Sequence, residues 1–223
     1  MKYSDQILKQ FPEMWTKASE HPYIESLCSG TLPKDSFRDY VIQDYLICRA
    51  IRHLYALVLS KLPITVTTVH FEKLTKSLGS QVSPKVPELQ ALKLFHKELG
   101  VTDKELTSAS LVTRAFTDFI ISTGYTASYK QSLVVLFTMN FVYERWAERF
   151  SNYKPGDPLV QKWLDIHSDY KFGPTLDVLR EAIDESKPHF TKVGKKHMDA
   201  VKTTLQLEIS FWDSLGGKYQ WAT

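Results

Sequence analysis

Two acidic residues, Asp44 and Glu208, stand on otherwise apolar helix faces. Asp44 lies within the run Phe37–Cys48, and Glu208 shares one face of the last predicted helix with Leu205, Phe211 and Trp212. A charged group is costly to desolvate unless it has partners. Each acid is therefore either a satisfied structural acid or part of a binding site. An apolar, aromatic surround would raise the pKa of both, as acid–base catalysis near neutral pH requires.

Other polar residues interrupt apolar helix faces as well. Tyr143 shares a face with Met139, Asn140 and Trp146, and Cys48 stands one turn after Asp44. For each of these a structural role, such as a buried hydrogen bond or a small apolar filler, stays open. His53 and His167 also fit packing or capping positions.

Several catalytic and metal-binding motifs are absent from the sequence. It has no G-x-S-x-G, P-loop, Rossmann glycine pattern or H-E-x-x-H. None of the seven histidines completes the Glu-x-x-His pair of helical di-iron sites, and the two cysteines form no zinc spacing. Their absence argues against the corresponding enzyme classes but not against enzymes in general.

Composition predicts a soluble, cytoplasmic protein. Of the 223 residues 43% are hydrophobic, 24% charged and 13% aromatic, and the net charge is +3. The basic stretch Lys192–Lys202 is interrupted by apolar residues and fits a solvated helix face better than a nucleic-acid site. The apolar run Leu133–Val142 is too short to span a bilayer, and the N-terminus lacks the apolar core of a signal peptide.

Helical periodicity dominates the whole chain and predicts one all-α bundle of eight to ten helices over residues 1–223. The longest predicted helix carries apolar residues and Asp44 on one face and runs to Leu62 before Pro63. Pro12 is expected to kink or split the opening helix. Gly79 is expected to end a helix, and Gly124 to separate two others.

Four stretches resemble the TenA (thiaminase II) family in order and spacing. They are Gly30–Pro33 with Phe37 and Tyr40–Asp44, then Val142–Glu144, Pro155–Trp163 and Leu207–Trp212. The resemblance covers nearly the whole chain. It implies the all-α fold of the haem oxygenases, a homo-oligomer (dimer or tetramer), a pocket for an aminopyrimidine and no metal or organic cofactor.

The resemblance also assigns roles to residues of this chain. Asp44 falls on the acid that binds the pyrimidine amino group and a ring nitrogen, Glu208 on the catalytic glutamate, and Tyr143 on a tyrosine of the site. The nucleophilic cysteine falls on Met139, a thioether that cannot become a thiolate. The remaining site positions fall on Ile47, Phe116, His167 and, on the Glu208 helix, Phe211.

The chain is more similar to a second branch of the family, which lacks the cysteine and has a glutamate close by; Asn140 stands near that place. Three hypotheses follow. The protein hydrolyses or deaminates an aminopyrimidine in thiamine salvage without a cysteine nucleophile, as a thiaminase II-like hydrolase. Alternatively it binds a thiamine-related or other flat heteroaromatic ligand without catalysis. Thirdly, it is a structural or interaction protein whose acids are buried partners. None of these involves a nucleic acid or a membrane.

Overall fold

The computed structural model describes residues 1–169, 172–185 and 192–216, and every regular element within them is helical. The α-helices are α1 (Tyr3–Lys9), α2 (Pro12–Ser19), α3 (Pro22–Cys28), α4 (Lys34–Ser60), α5 (Thr68–Val82), α6 (Pro87–Glu98), α7 (Leu111–Thr126), α8 (Tyr129–Arg149), α9 (Pro158–Asp169), α10 (Phe172–Asp184) and α11 (Lys192–Ser214). The predicted all-α bundle is confirmed. No helix in the described ranges is both long and apolar enough to cross a membrane.

Pro12 splits the opening helix as predicted, which brings the described α-helices to eleven. A proline lacks the N–H that an interior helical position donates, but it suits the first turn, where that donor has no partner. Pro12 therefore begins α2 after a break at Gln10 and Phe11. The sequence pattern predicts that the last helix begins at Pro188, which lies outside the described residues; the described part of this helix begins at Lys192.

Helix α4 is the central element of the bundle. It is the longest described helix, packs most extensively against α7, and also contacts α5, α6 and α8. Its buried face includes Phe37, Val41, Asp44, Cys48 and Tyr55, as the apolar periodicity predicted. Asp44 is therefore fixed in the interior by the apolar residues one and two turns away from it.

The expectation that Gly79 and Gly124 end helices is wrong. Helix α5 continues past Gly79 to Val82, and α7 continues past Gly124 to Thr126. Neither glycine has the left-handed backbone that makes glycine a stop signal. Gly124 instead allows a close approach, because a Cβ atom there would lie 2.5 Å from Cδ1 of Leu57 on α4.

Substitution of Gly79 and of Gly124 should change the free energy of unfolding in opposite directions. Gly79→Ala meets nothing within 4 Å and should raise the free energy of unfolding by about 0.5–1 kcal/mol, because alanine loses less backbone entropy in a helix. Gly124→Val should lower it by about 1–3 kcal/mol through overpacking against α4. Urea denaturation of both variants measures these changes. An unchanged stability of Gly124→Val would contradict the close packing of α4 and α7.

Candidate functional site

The structure buries Asp44 and gives its carboxyl group two neighbours. The residue is 1% exposed. The Tyr143 hydroxyl donates to Oδ1 over 3.2 Å, and the Cys48 thiol lies 3.8 Å from Oδ2. Burial raises the pKa of Asp44 well above its usual value, the nearby Glu88 charge raises it further, and the bonds from Tyr143 and Cys48 oppose the shift. The environment thus favours the neutral acid.

Glu208 is the second buried acid, on α11. It is 1% exposed, and Oε1 has no hydrogen-bond partner in the described part of the chain. Burial raises the pKa of Glu208 well above its usual value, and the Asp44 charge raises it further. Two acids separated by most of the chain are therefore close enough to interact electrostatically. A neutral carboxylic acid at this place can donate a proton.

Asp44 lies in the wall of a cavity with about 450 Å³ of empty space, mouth included. The wall combines apolar and polar side chains: Asp44, Cys48, Ile51, Tyr55, Gln81, Glu88, Met139, Asn140 and Tyr143. Asn140 is held there by Tyr55, whose hydroxyl lies 2.8 Å from its Nδ2, and by the Leu136 carbonyl oxygen at 2.7 Å. A mostly apolar cleft with a few fixed polar groups is typical of small-molecule sites.

The other predicted site residues do not belong to the described wall of this cavity. His167 is buried, and its ring stacks with Tyr143 at a centroid distance of 5.9 Å. Phe211 is buried against Trp212 at 5.3 Å. Ile47 and Phe116 are also buried, and neither they nor Glu208 belong to the described wall of the cavity.

Glu88 is the site residue that the sequence analysis missed. It stands in the first turn of α6, lines the cavity, and lies with Asp44 and Cys48 in a group whose ligand atoms are all within 4.8 Å of one another. Its Oε1 is 3.4 Å from Nε2 of His167. The sequence indicates this role only weakly, because an acid after a helix-initiating proline is ordinarily an N-terminal charge that faces solvent. Asp44, Cys48 and Glu88 could also hold a metal ion.

A family model described as the TENA/THI-4/PQQC family matches residues 8–217. The chain belongs to this family. TenA family membership agrees with the fold, with the two buried acids and with the four stretches that carry the resemblance.

Curated relatives and solved structures extend the comparison. The chain is 22% identical to the aminopyrimidine aminohydrolase of Halalkalibacterium halodurans, covering 99% of this chain and 98% of that one. It is also 22% identical to the aminopyrimidine aminohydrolase of Bacillus subtilis, covering 100% of this chain and 93% of that one.

Among solved structures, a TenA homologue from P. horikoshii superposes with a TM-score of 0.81 at 22% identity, covering 96% and 98% of the two chains. A haem oxygenase from Synechocystis superposes with a TM-score of 0.54 at 14% identity, covering 97% and 93%. At these identities the structures show the fold, which is the predicted haem-oxygenase-like bundle.

Proposed function

We propose that this TenA family protein is an aminopyrimidine hydrolase of thiamine salvage that works without a cysteine nucleophile. The observation that carries the proposal is that Asp44 lines a mostly apolar cavity while a second buried acid, Glu208, lies close enough for the Asp44 charge to raise its pKa. The names of the curated relatives support the substrate class.

Asp44 recognises the ring in this proposal. A neutral carboxyl group presents one acceptor beside one donor, which matches the amino N–H and the adjacent unprotonated ring nitrogen of an aminopyrimidine. Burial favours that neutral form. Tyr143 orients the group through its bond to Oδ1, and Met139 and Ile51 supply apolar contact to the ring faces.

Glu88 and Glu208 supply the acid–base chemistry. Met139 lines the cavity but cannot form a thiolate. Burial, together with the Asp44 and Glu88 charges, raises the pKa of the Cys48 thiol well above its usual value, which disfavours its thiolate. Water is therefore the nucleophile in this proposal. The Glu88 carboxylate removes a proton from water, whose oxygen bonds to the methylene carbon of an aminomethyl-aminopyrimidine. The C–N bond breaks, and its electron pair stays on nitrogen. The neutral acid of Glu208, which does not belong to the described wall of the cavity, protonates that nitrogen through an intervening water. The products are the hydroxymethyl compound and ammonia, and solvent returns the proton from Glu88 to Glu208.

The test is ammonia release by the purified protein from an aminomethyl-aminopyrimidine, with thiamine assayed in parallel. The proposal expects catalytic turnover that Glu88→Gln reduces by about 10²-fold or more, as removal of a general base does. Exposed Glu98→Gln, at the other end of α6, is the matched control and should retain full activity. Absence of turnover of every compound would contradict the proposal.

Met139 favours one second candidate, a non-catalytic binder of a thiamine-related or other flat heteroaromatic ligand. A thioether in the wall contributes apolar contact and no nucleophile. One-to-one binding of hydroxymethyl-aminopyrimidine in a calorimeter, without turnover of the aminomethyl compound, would support this candidate. Assembly as a homo-oligomer, a single domain over residues 1–223 and a cytoplasmic location stay predictions.

A further inference from the structure

Three side chains with metal-ligand atoms meet in the cavity. The carboxylate oxygens of Asp44 and Glu88 and the Cys48 sulfur all lie within 4.8 Å of one another. Asp44 and Cys48 are one turn apart on the buried face of α4, so the helix itself places them side by side. Glu88 comes from the first turn of α6, which packs against α4. The donor set is therefore one soft sulfur and two hard oxygens.

The separations within this group suit a shared cation. Cys48 Sγ lies 3.8 Å from Asp44 Oδ2. Tetrahedral zinc with its usual bond lengths places a thiolate sulfur and a carboxylate oxygen roughly 3.5 Å apart. Nδ1 of His167 donates to the Trp163 carbonyl oxygen at 2.8 Å, so its Nε2, 3.4 Å from Glu88 Oε1, holds the second carboxylate only when the ring carries both protons. Such outer contacts orient ligating carboxylates in metal sites.

Tyr40 gives an independent indication that a ligand belongs here. Its side chain is fully buried one turn before Asp44, and its hydroxyl has no hydrogen-bond partner in the described part of the chain. Tyr40 and Asp44 share the buried face of α4, one helical turn apart. Burial raises the pKa of Tyr40, and the charges of Asp44, Glu88 and Cys48 each raise it further. A buried hydroxyl without a partner is costly, whereas water bound to a cation would pair with it.

We propose that Asp44, Cys48 and Glu88 form a binding site for one thiophilic divalent cation, such as Zn²⁺ or its spectroscopic analogue Co²⁺. The Cys48 thiol loses its proton to solvent and becomes a thiolate ligand, while the two carboxylates supply oxygen ligands. Thiolate coordination selects Zn²⁺ over Mg²⁺ and Ca²⁺, which prefer oxygen alone. A bound water completes the tetrahedron beside Tyr40.

Occupation of this site also blocks the cavity. The cation takes the oxygen of Asp44 that faces Cys48, and this oxygen is needed for the pyrimidine edge. Zn²⁺ and the aminopyrimidine should therefore compete, a consequence that depends on the proposed function. The metal site itself does not depend on it, because cation binding can be measured without any pyrimidine.

Titration of the metal-free protein with Co²⁺ tests the site. We expect an intense thiolate-to-cobalt charge-transfer absorption that saturates at one equivalent and that Zn²⁺ displaces. Cys48→Ser should remove the absorption, and Glu88→Gln should weaken Co²⁺ binding at least about tenfold, as loss of one ligand does. Cys28→Ser is the matched control, because Cys28 is the other buried free cysteine and lies on α3.

An absence of the absorption in the wild-type protein, or its persistence in Cys48→Ser, would overturn the metal site. Its loss in a folded Cys28→Ser variant would do the same. Circular dichroism checks the fold of each variant. If Cys48→Ser does not fold, the Glu88→Gln variant alone tests the site, because Glu88 is only half-buried. Unchanged Co²⁺ affinity in that variant overturns the proposal. Ammonia release in metal-free buffer is scored separately, so its failure affects only the proposed hydrolysis.

Discussion

Glu208→Gln is expected to reduce kcat for aminopyrimidine hydrolysis by about 10²–10⁴-fold while leaving the affinity for the ring within a few-fold of wild type. Glutamine keeps the size of the side chain but has no proton to give to the leaving nitrogen. Ammonia release under saturating substrate measures the change, and calorimetry measures the affinity. Asp199→Asn, an exposed acid on the same helix, is the control and should behave as wild type. Equal loss of binding and turnover would contradict the assignment of Glu208 as proton donor.

The same variant carries a pH prediction for stability. Burial raises the pKa of Glu208 in the folded state, so the folded protein holds a proton that the unfolded chain releases near its ordinary value of roughly pH 4. The free energy of unfolding should therefore fall as pH rises above that value, with a slope of up to about 1.4 kcal/mol per pH unit for one group. Asp44 acts in the same direction. Urea denaturation across pH 5–8 should show a shallower slope for Glu208→Gln; a slope identical to wild type would contradict the raised pKa.

Asp44→Ala is expected to weaken binding of hydroxymethyl-aminopyrimidine by at least about 100-fold. The substitution removes both hydrogen bonds to the ring in a buried site, each of which contributes about 1–3 kcal/mol when its loss leaves a partner unsatisfied. Asp44→Asn should retain affinity within about tenfold, because the amide presents the same acceptor beside a donor as the neutral acid. Calorimetric titration of the wild-type protein, Asp44→Ala and Asp44→Asn gives the order of their affinities for the ring.

Asp35→Ala is the matched control for Asp44, since Asp35 is an exposed acid in the first turn of the same helix. It should bind the ring as wild type does. Wild-type affinity in a folded Asp44→Ala variant would show that Asp44 does not bind the ring. Affinity of Asp44→Asn as low as that of Asp44→Ala would show that the carboxylate, rather than the neutral acid, binds the ring.

The features of the fold that follow from apolar periodicity could be predicted from the sequence. The repeating apolar face predicted the long helix from Phe37 and placed Asp44 inside it, and the structure confirms both. Glu88 was missed because its place opposite Asp44 depends on how α6 packs against α4, which no local pattern encodes. The glycines failed as stop signals for a related reason. Gly124 lies where α7 approaches Leu57 of α4, a packing requirement that looks like a helix stop in sequence.

A crystal structure of the protein with hydroxymethyl-aminopyrimidine would show directly whether Asp44 binds the ring. We expect one ring in the cavity between Met139 and Ile51, with its amino group and a ring nitrogen on the two oxygens of Asp44 and its methylene carbon facing Glu88. A ring bound elsewhere on the protein, or a cavity that stays free of the compound at saturating concentration, would contradict this expectation.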